Sequence, residues 1–479
     1  LLVTAARPQQ IFTVCGSTDT IVRNYDSRTD EGRPFTLFDQ QGESLQQHTL
    51  YLAHEDLLEL SAGARIGIEL VPDHQRTLPP RLGQLLTDPD QAVWEYSCGS
   101  SWQPFAHCSW SENVFVLTLG EHQLPITPTE EPGLEPGRWL RLRLKKGVQL
   151  PPFSLRLIRL AAENSGLLPD LVYASDAGQN IHEFLPFGEE LGLFSEVYFS
   201  CEEALIKRGA QVEMSFRLSY LPIPVDLTAG VPPVDWKLIM KKSDFKVDEE
   251  ADITVAQVLW EYYNGTGWAR LFPDNQADEC FTPGPEAATQ DYQLRFRCPD
   301  DMAPVLVGSG VGCFIRARVL KINNLYKLKG HYVVPLISDL SFGYRYSGRG
   351  RLPQQVMSCN NGFCRPLDPA AFRGGNLSFQ PFSFLDESQP VLYLGFPEPP
   401  LGGPIKMLFL LAETLQEKPG RLRWEYRTER GWESLNVVDE TENLRQTGLL
   451  TMMGLQNFCR ADLWGESLFW IRAVDETGC

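Results

Sequence analysis

Histidine is scarce in this chain, seven in 479 residues, and none falls into a catalytic pairing. His54-Glu55-Asp56 opens like the helix of a zinc peptidase but has no second histidine four positions on. A Gly-x-Ser-x-Gly nucleophile elbow is missing too. Gly308-Ser309-Gly310-Val311-Gly312 is glycine-rich, yet a strand-like run, Cys313-Phe314-Ile315, follows it. A phosphate cradle needs a helix N-terminus at that point, so the segment reads as a turn.

Long apolar runs are also lacking. A membrane helix needs about 20 such residues, and the best stretch, Met407-Leu408-Phe409-Leu410-Leu411-Ala412, has the length of a core strand. Positive charge is in deficit: the formal net charge is −18, which repels a phosphate backbone. The most basic run, residues 138–146, alternates charge with apolar residues and reads as a strand with one wet face. Neither nucleic acid nor a membrane is expected as a partner. The eleven cysteines form no framework pattern. Cys359 and Cys364 are spaced C-x4-C without a second pair or a nearby histidine, so no metal site is expected. Thiols in a reducing cytoplasm are the plain expectation, which leaves the glycosylation-like Asn264 and Asn376 sites without meaning. The chain begins at Leu1 with no targeting segment and ends as abruptly at Cys479. It reads as processed, or as a piece of something longer.

Apolar residues at 43% and aromatics at 11% suffice for several cores, and the length suggests about three domains. A repeat supports that number. Trp94-Glu95-Tyr96, Trp260-Glu261-Tyr262 and Trp424-Glu425-Tyr426 recur, each followed eight positions after its first tryptophan by another: Trp102, Trp268 and Trp432. Ahead of each triplet lie a Phe-x-x-Phe segment and a strand centred on Tyr51, Tyr198 or Tyr393. An alternating strand near 66–70, 212–218 or 405–409 follows it. Each copy then closes on an aromatic-x-Arg strand, Trp139-Leu140-Arg141, Phe314-Ile315-Arg316 or Trp470-Ile471-Arg472.

Period-2 alternation between turn residues predicts strands almost throughout, with short helices only at 55–61 and 202–208. The fold class is therefore mainly β: three tandem, diverged β-sandwich modules with few short helices. The first spans 1–150 and is the most diverged. The second spans 151–345 with an insertion near 222–252, and the third spans 346–479 including a leading linker. The linkers are placed near 151–180 and 340–375. In each triplet the two aromatics share a strand face and the glutamate points the other way. A hairpin then brings the second tryptophan onto the same core as the first. The expected structural core of the repeats is Trp94, Tyr96, Trp102, Trp260, Tyr262, Trp268, Trp424, Tyr426 and Trp432.

Chemistry finds little purchase in this pattern. Glu95, Glu261 and Glu425 beside aromatics have the texture of a sugar cleft, but a catalytic acid is needed once whereas these recur with the module. They read as solvated or arginine-paired outward residues. The acidic turns at 274–279 and 439–442 lack a counterpart in copy one and read as plain turns rather than calcium loops. No catalytic residue, cofactor or metal is expected.

Tyr393-Leu394-Gly395-Phe396, Gly402-Gly403-Pro404-Ile405 with Leu408-Phe409, and Trp424-Glu425-Tyr426 with Trp432 and Leu435 form one set of motifs. With Asp439-x-Thr441-x-x-Leu444 and Trp470-Ile471-Arg472-Ala473, the set resembles baseplate-J-like wedge proteins of contractile injection systems: contractile phage tails, tailocins and extracellular phage-tail-like particles. Copy three carries most of the resemblance, copy two less and copy one least. The resemblance implies a structural, non-enzymatic wedge component whose β modules are arms. They would dock neighbouring wedge subunits, with hub, sheath and tail-fibre proteins as further partners, in multiple copies of a sixfold assembly. It also implies assembly in a bacterial cytoplasm before incorporation into the particle. The alternative reading is a carbohydrate-binding or adhesin-like β-sandwich array, distinguished by open faces on Trp102, Trp268 and Trp432.

Overall fold

The computed structural model describes residues 4–477 except 16–19, 39–43, 74–76, 132, 149, 175–176, 227–250, 276, 285–286, 328, 347–349, 370, 372–376, 385–388, 413–419 and 455. The insertion read near 222–252 falls mostly outside the described residues, as does Asn376. Strand is the dominant regular structure of the described residues, as the alternation predicts, and among them α-helix is found only at Leu82–Thr87 and Glu202–Leu205.

Each copy contributes a sheet with the same internal order. In copy one the tryptophan strand Ser101–Pro104 pairs with the triplet strand Ala92–Cys98. The triplet strand pairs with the arginine strand Trp139–Leu144, and that with the tyrosine strand His48–Ala53. Copy two repeats the order with Trp268–Arg270, Ala251–Tyr263, Gly310–Asn323 and Glu196–Ser200. Copy three repeats it with Gly431–Ser434, Leu422–Thr428, Glu466–Asp475 and Pro390–Phe396. All these pairings are antiparallel.

A two-stranded hairpin then docks on the free edge of each tyrosine strand. In copy two it is the hairpin just upstream, Leu171–Ala174 with Ala177–Gly178. The outer copies differ. Copy three receives Gln10–Cys15 with Ile21–Asp26, from the chain's beginning. Copy one receives Gln355–Asn360 with Phe363–Leu367, from just upstream of copy three. Copies one and three have exchanged hairpins.

This exchange corrects the boundaries 1–150 and 346–479, because residues 10–26 complete the third sheet and 355–367 the first. The second boundary fails for a related reason. Leu155–Leu167, placed in a linker, is a strand bonded on one side to Arg65–Pro72 of copy one and on the other to Lys329–Arg345 of copy two. Copy one's second sheet, which holds Arg65–Pro72, is thereby continuous with the sheet of copy two, its tyrosine-strand sheet staying separate, and one hydrophobic core runs through both copies. Copy three has its own core, from Leu392 and Trp424 to Met452. Period-2 alternation shows that a segment is a strand, but edge pairing is a long-range choice that local pattern does not encode.

The helix expected at 55–61 is a run of turns. Its carbonyls are taken from outside: Lys207, fully buried, donates through Nζ to Asp56 O at 2.6 Å and Glu59 O at 2.7 Å. Glu203 accepts from Ser61 N, Asn164 Nδ2 and Tyr344 Oη at 2.9–3.0 Å. These bonds stitch copy one to copy two. The buried His54 beside them accepts from Leu57 N through Nδ1 at 3.2 Å. Burial, then Arg351 and Lys207 nearby, pushes the His54 imidazole down to about 4, with Asp56 opposing. A depressed folded value means stability that is present above pH 6.5 and lost as the pH falls toward 4. Wild type should lose about 3 kcal/mol over that window relative to His54→Asn, at ~1.4 kcal/mol per unit. Urea unfolding at pH 6.5 and pH 4 measures it, and parallel losses in the two proteins would remove His54 as the cause.

Cys359 and Cys364 are not separate thiols. They sit directly opposite each other on the donated hairpin, Cα atoms 3.9 Å apart, and form a disulfide.

Candidate functional site: a Tyr-Arg-Glu-Trp cluster repeated three times

Register builds one cluster in every copy. Arg141 lies opposite Tyr51 on one side and Glu95 on the other. Arg316 lies opposite Tyr198 and Glu261, and Arg472 opposite Tyr393 and Glu425. Cross-strand neighbours share a face, so tyrosine, arginine and glutamate form a row across three strands. The second tryptophan joins its end, because Trp102, Trp268 and Trp432 sit opposite Ser97, Tyr263 and Arg427, two residues beyond each glutamate.

The geometry repeats closely. Arginine Nε donates to the glutamate at 2.7, 2.9 and 2.7 Å in the three copies. The guanidinium lies over the tryptophan ring at 4.2, 4.2 and 4.3 Å. The tyrosine and tryptophan centroids are 5.8, 5.5 and 5.7 Å apart. All three glutamates are buried. They are arginine-paired as expected, but not solvated. Burial pushes the Glu95 carboxyl up, and the hydrogen bonds from Arg143 and Arg141 outweigh it, leaving the group below its ordinary value. Burial also raises the Tyr51 and Tyr198 phenols.

The nine predicted core residues divide between two faces. Trp94, Tyr96, Trp260, Trp424 and Tyr426 are buried on the inner face. Tyr262 is half-buried and donates to Asp301 Oδ1 at 2.9 Å. Trp102, Trp268 and Trp432 are half-buried on the opposite face, so the two tryptophans of a copy do not share a core. The hairpin register is the reason: the position opposite the second tryptophan is three residues past the first, and an odd offset on a strand reverses the face. What the sequence reading missed was the arginine. The aromatic-x-Arg strand was visible, but not that its arginine and the triplet's glutamate meet in register.

No other set of described residues gathers chemistry in this way. Asp274, Asn275 and Asp278 are gathered by Arg270, and Asp439 accepts from Thr441 N and Asn443 N, so both acidic segments are turns. Gly308 and Ser309 are the tight turn of a hairpin, and Asn264 Oδ1 likewise closes a turn onto Gly267 N. Among the described residues no three histidine, cysteine, aspartate or glutamate side chains are grouped to hold a metal. No described helix is long and apolar enough to cross a membrane. A 690 Å³ groove at the junction of copies one and two is lined by charges already paired, Arg65 and Arg345 with Glu163 and Arg295 with Glu213.

No protein-family model matches the chain, and no curated protein does. Among solved structures, the N-terminal CBM22-1-CBM22-2 tandem domain of Xyn10C from Paenibacillus barcinonensis is similar at 10% identity over 71% of this chain and 99% of that one. The TM-score is 0.17, too low to bear on fold or function.

Proposed function

We propose that this chain is a structural component of a contractile phage-tail-like injection system, a baseplate wedge protein whose β copies are docking arms for neighbouring subunits. The observation that carries the structural half is the threefold cluster. The carboxylates best placed for catalysis are spent identically on arginine in all three copies, and a reaction site has no reason to recur in that way. The baseplate half rests on the motif resemblance of copy three. In this reading the copies are rigid bodies, and rearranged contacts between them help hold or release the sheath. The carbohydrate-binding alternative needs open tryptophan faces. An arginine already covers one face of each of Trp102, Trp268 and Trp432, and each of these rings is half-buried, which leaves less ring open for stacking.

The test is purification of the native complex through a tag on this chain, followed by electron microscopy. A sixfold particle with these sheets placed radially is the expected result. A solitary chain that is retained on a glycan array would overturn it in favour of the alternative.

A further inference from the structure

The exchange of hairpins between copies one and three has a counterpart that the chain can also form. Three hairpins dock on three tyrosine strands in one register: Phe12 opposite Tyr393, Tyr173 opposite Tyr198, and Met357 opposite Tyr51. Each donor presents a large apolar residue at the equivalent position, and each acceptor presents its tyrosine. Only copy two keeps its own hairpin, across 17 intervening residues, 179–195. The corresponding stretches in the outer copies are longer, 21 residues at 27–47 and 22 at 368–389. A connection that closes locally in copy two is therefore more than long enough to close locally in copies one and three.

We propose that the crossed hairpins are a reversible clasp. The chain has a second folded pairing in which the first and third hairpins return to their own copies, and passage between the two frees copy three from copy one. This inference rests on strand pairing alone and holds whether or not the baseplate reading does. Two packings of one sequence that share their register differ mainly in the contacts peculiar to each. The crossed form has such contacts: His48 Nδ1 lies 2.7 Å from Asn360 Oδ1, and Gln47 N donates to Asn361 Oδ1 at 3.2 Å. They make it the resting state. In the uncrossed form His48 would face Cys15, and Asn360 would face Pro390, by the register of copy two. The Cys359–Cys364 disulfide keeps one donor a closed hairpin while it is detached.

Paired cysteines in the full chain report each state. Val14 lies opposite Val391 in the crossed form and would lie opposite Thr49 in the uncrossed form. Val→Cys changes little volume in a core. After mild oxidation, Val14→Cys/Val391→Cys should give an intrachain disulfide in most molecules, mapped by mass spectrometry of the unreduced digest. Val14→Cys/Thr49→Cys should give little in native buffer and about tenfold more after incubation in urea just below the unfolding transition, as the minor state gains population. Asn360→Ala should raise that yield without urea. Ser358→Cys/Leu50→Cys, opposite each other in the crossed form, and Ser358→Cys/Leu392→Cys, opposite in the uncrossed form by the register of copy two, ask the same two questions of the other hairpin and cover a failure of the first pairs to fold. Absence of the Val14→Cys/Thr49→Cys disulfide at every urea concentration overturns the reversible clasp. An interchain disulfide in the Val14→Cys/Val391→Cys protein overturns exchange within one chain.

Discussion

Trp260→Ala should destabilise the protein by about 3–5 kcal/mol, the range for deleting a large aromatic from a core that cannot collapse around the gap. Trp260 is 1% exposed. Its ring stacks at 5.9 Å on Phe199 and 6.1 Å on Phe281, and meets Phe272 edge-on at 6.4 Å. Phe199 is held on a strand bonded on both sides, and Phe272 and Phe281, between the strands Trp268–Arg270 and Gln290–Arg297, are themselves buried, so the cavity would persist. The indole N–H adds a hydrogen bond to Ala277 O at 3.2 Å. Among the described residues, the equivalent N–H groups of Trp94 and Trp424 have no such acceptor. Trp260→Phe should therefore cost more than Trp424→Phe. Because one core runs through copies one and two while copy three has its own, the damage should spread unequally. Hydrogen exchange after Trp260→Ala should quicken in both early copies, whereas Trp424→Ala should act mainly on copy three. An unchanged urea midpoint for Trp260→Ala would remove the ring from the core.

The contrast between these tryptophans marks how far the sequence could be read. The strands, the repeat and the inner face were legible because period-2 alternation and the rarity of tryptophan are local signals. Trp94-Glu95-Tyr96 announces two inward aromatics by itself. The faces of Trp102, Trp268 and Trp432 depended on a hairpin register that shifts by single residues, and one residue turns a side chain over. Residues 10–26 and 355–367 were read as parts of the copies beside them. Nothing in them signals the partner strand, since all three tyrosine strands present nearly the same edge. That near-identity hid the exchange from sequence, and it is also what makes the exchange possible. Lys207 escaped notice for another reason: a lone lysine becomes a cap for buried carbonyls only once two copies are packed together.

Glu261→Leu should cost about 3–5 kcal/mol, the range for breaking a buried ion pair by deleting one partner. Glu261 accepts from Arg316 Nε at 2.9 Å and Arg318 Nη2 at 3.3 Å, and Arg316 is held between it, Glu196 and the face of Trp268. Deleting the carboxylate leaves the Arg316 guanidinium desolvated beneath that ring, with the partly exposed Glu196 as its remaining ion-pair partner and the Tyr198 hydroxyl as a neutral acceptor. Most of the cost is this stranded charge rather than the worth of the pair. Arg316→Met in the Glu261→Leu background should therefore restore much of the loss, since buried pairs replaced by apolar residues of similar volume are often neutral. The double-mutant cycle, by urea unfolding, should give a large coupling that changes little when salt is raised, because screening does not reach a buried pair. Arg7 with Glu31, 2.8 Å apart but largely exposed, is the control, and its cycle should show no measurable coupling. If the Glu261–Arg316 coupling were no larger than that of the control, the repeated cluster would add nothing to the fold and its carboxylates would be open to another role.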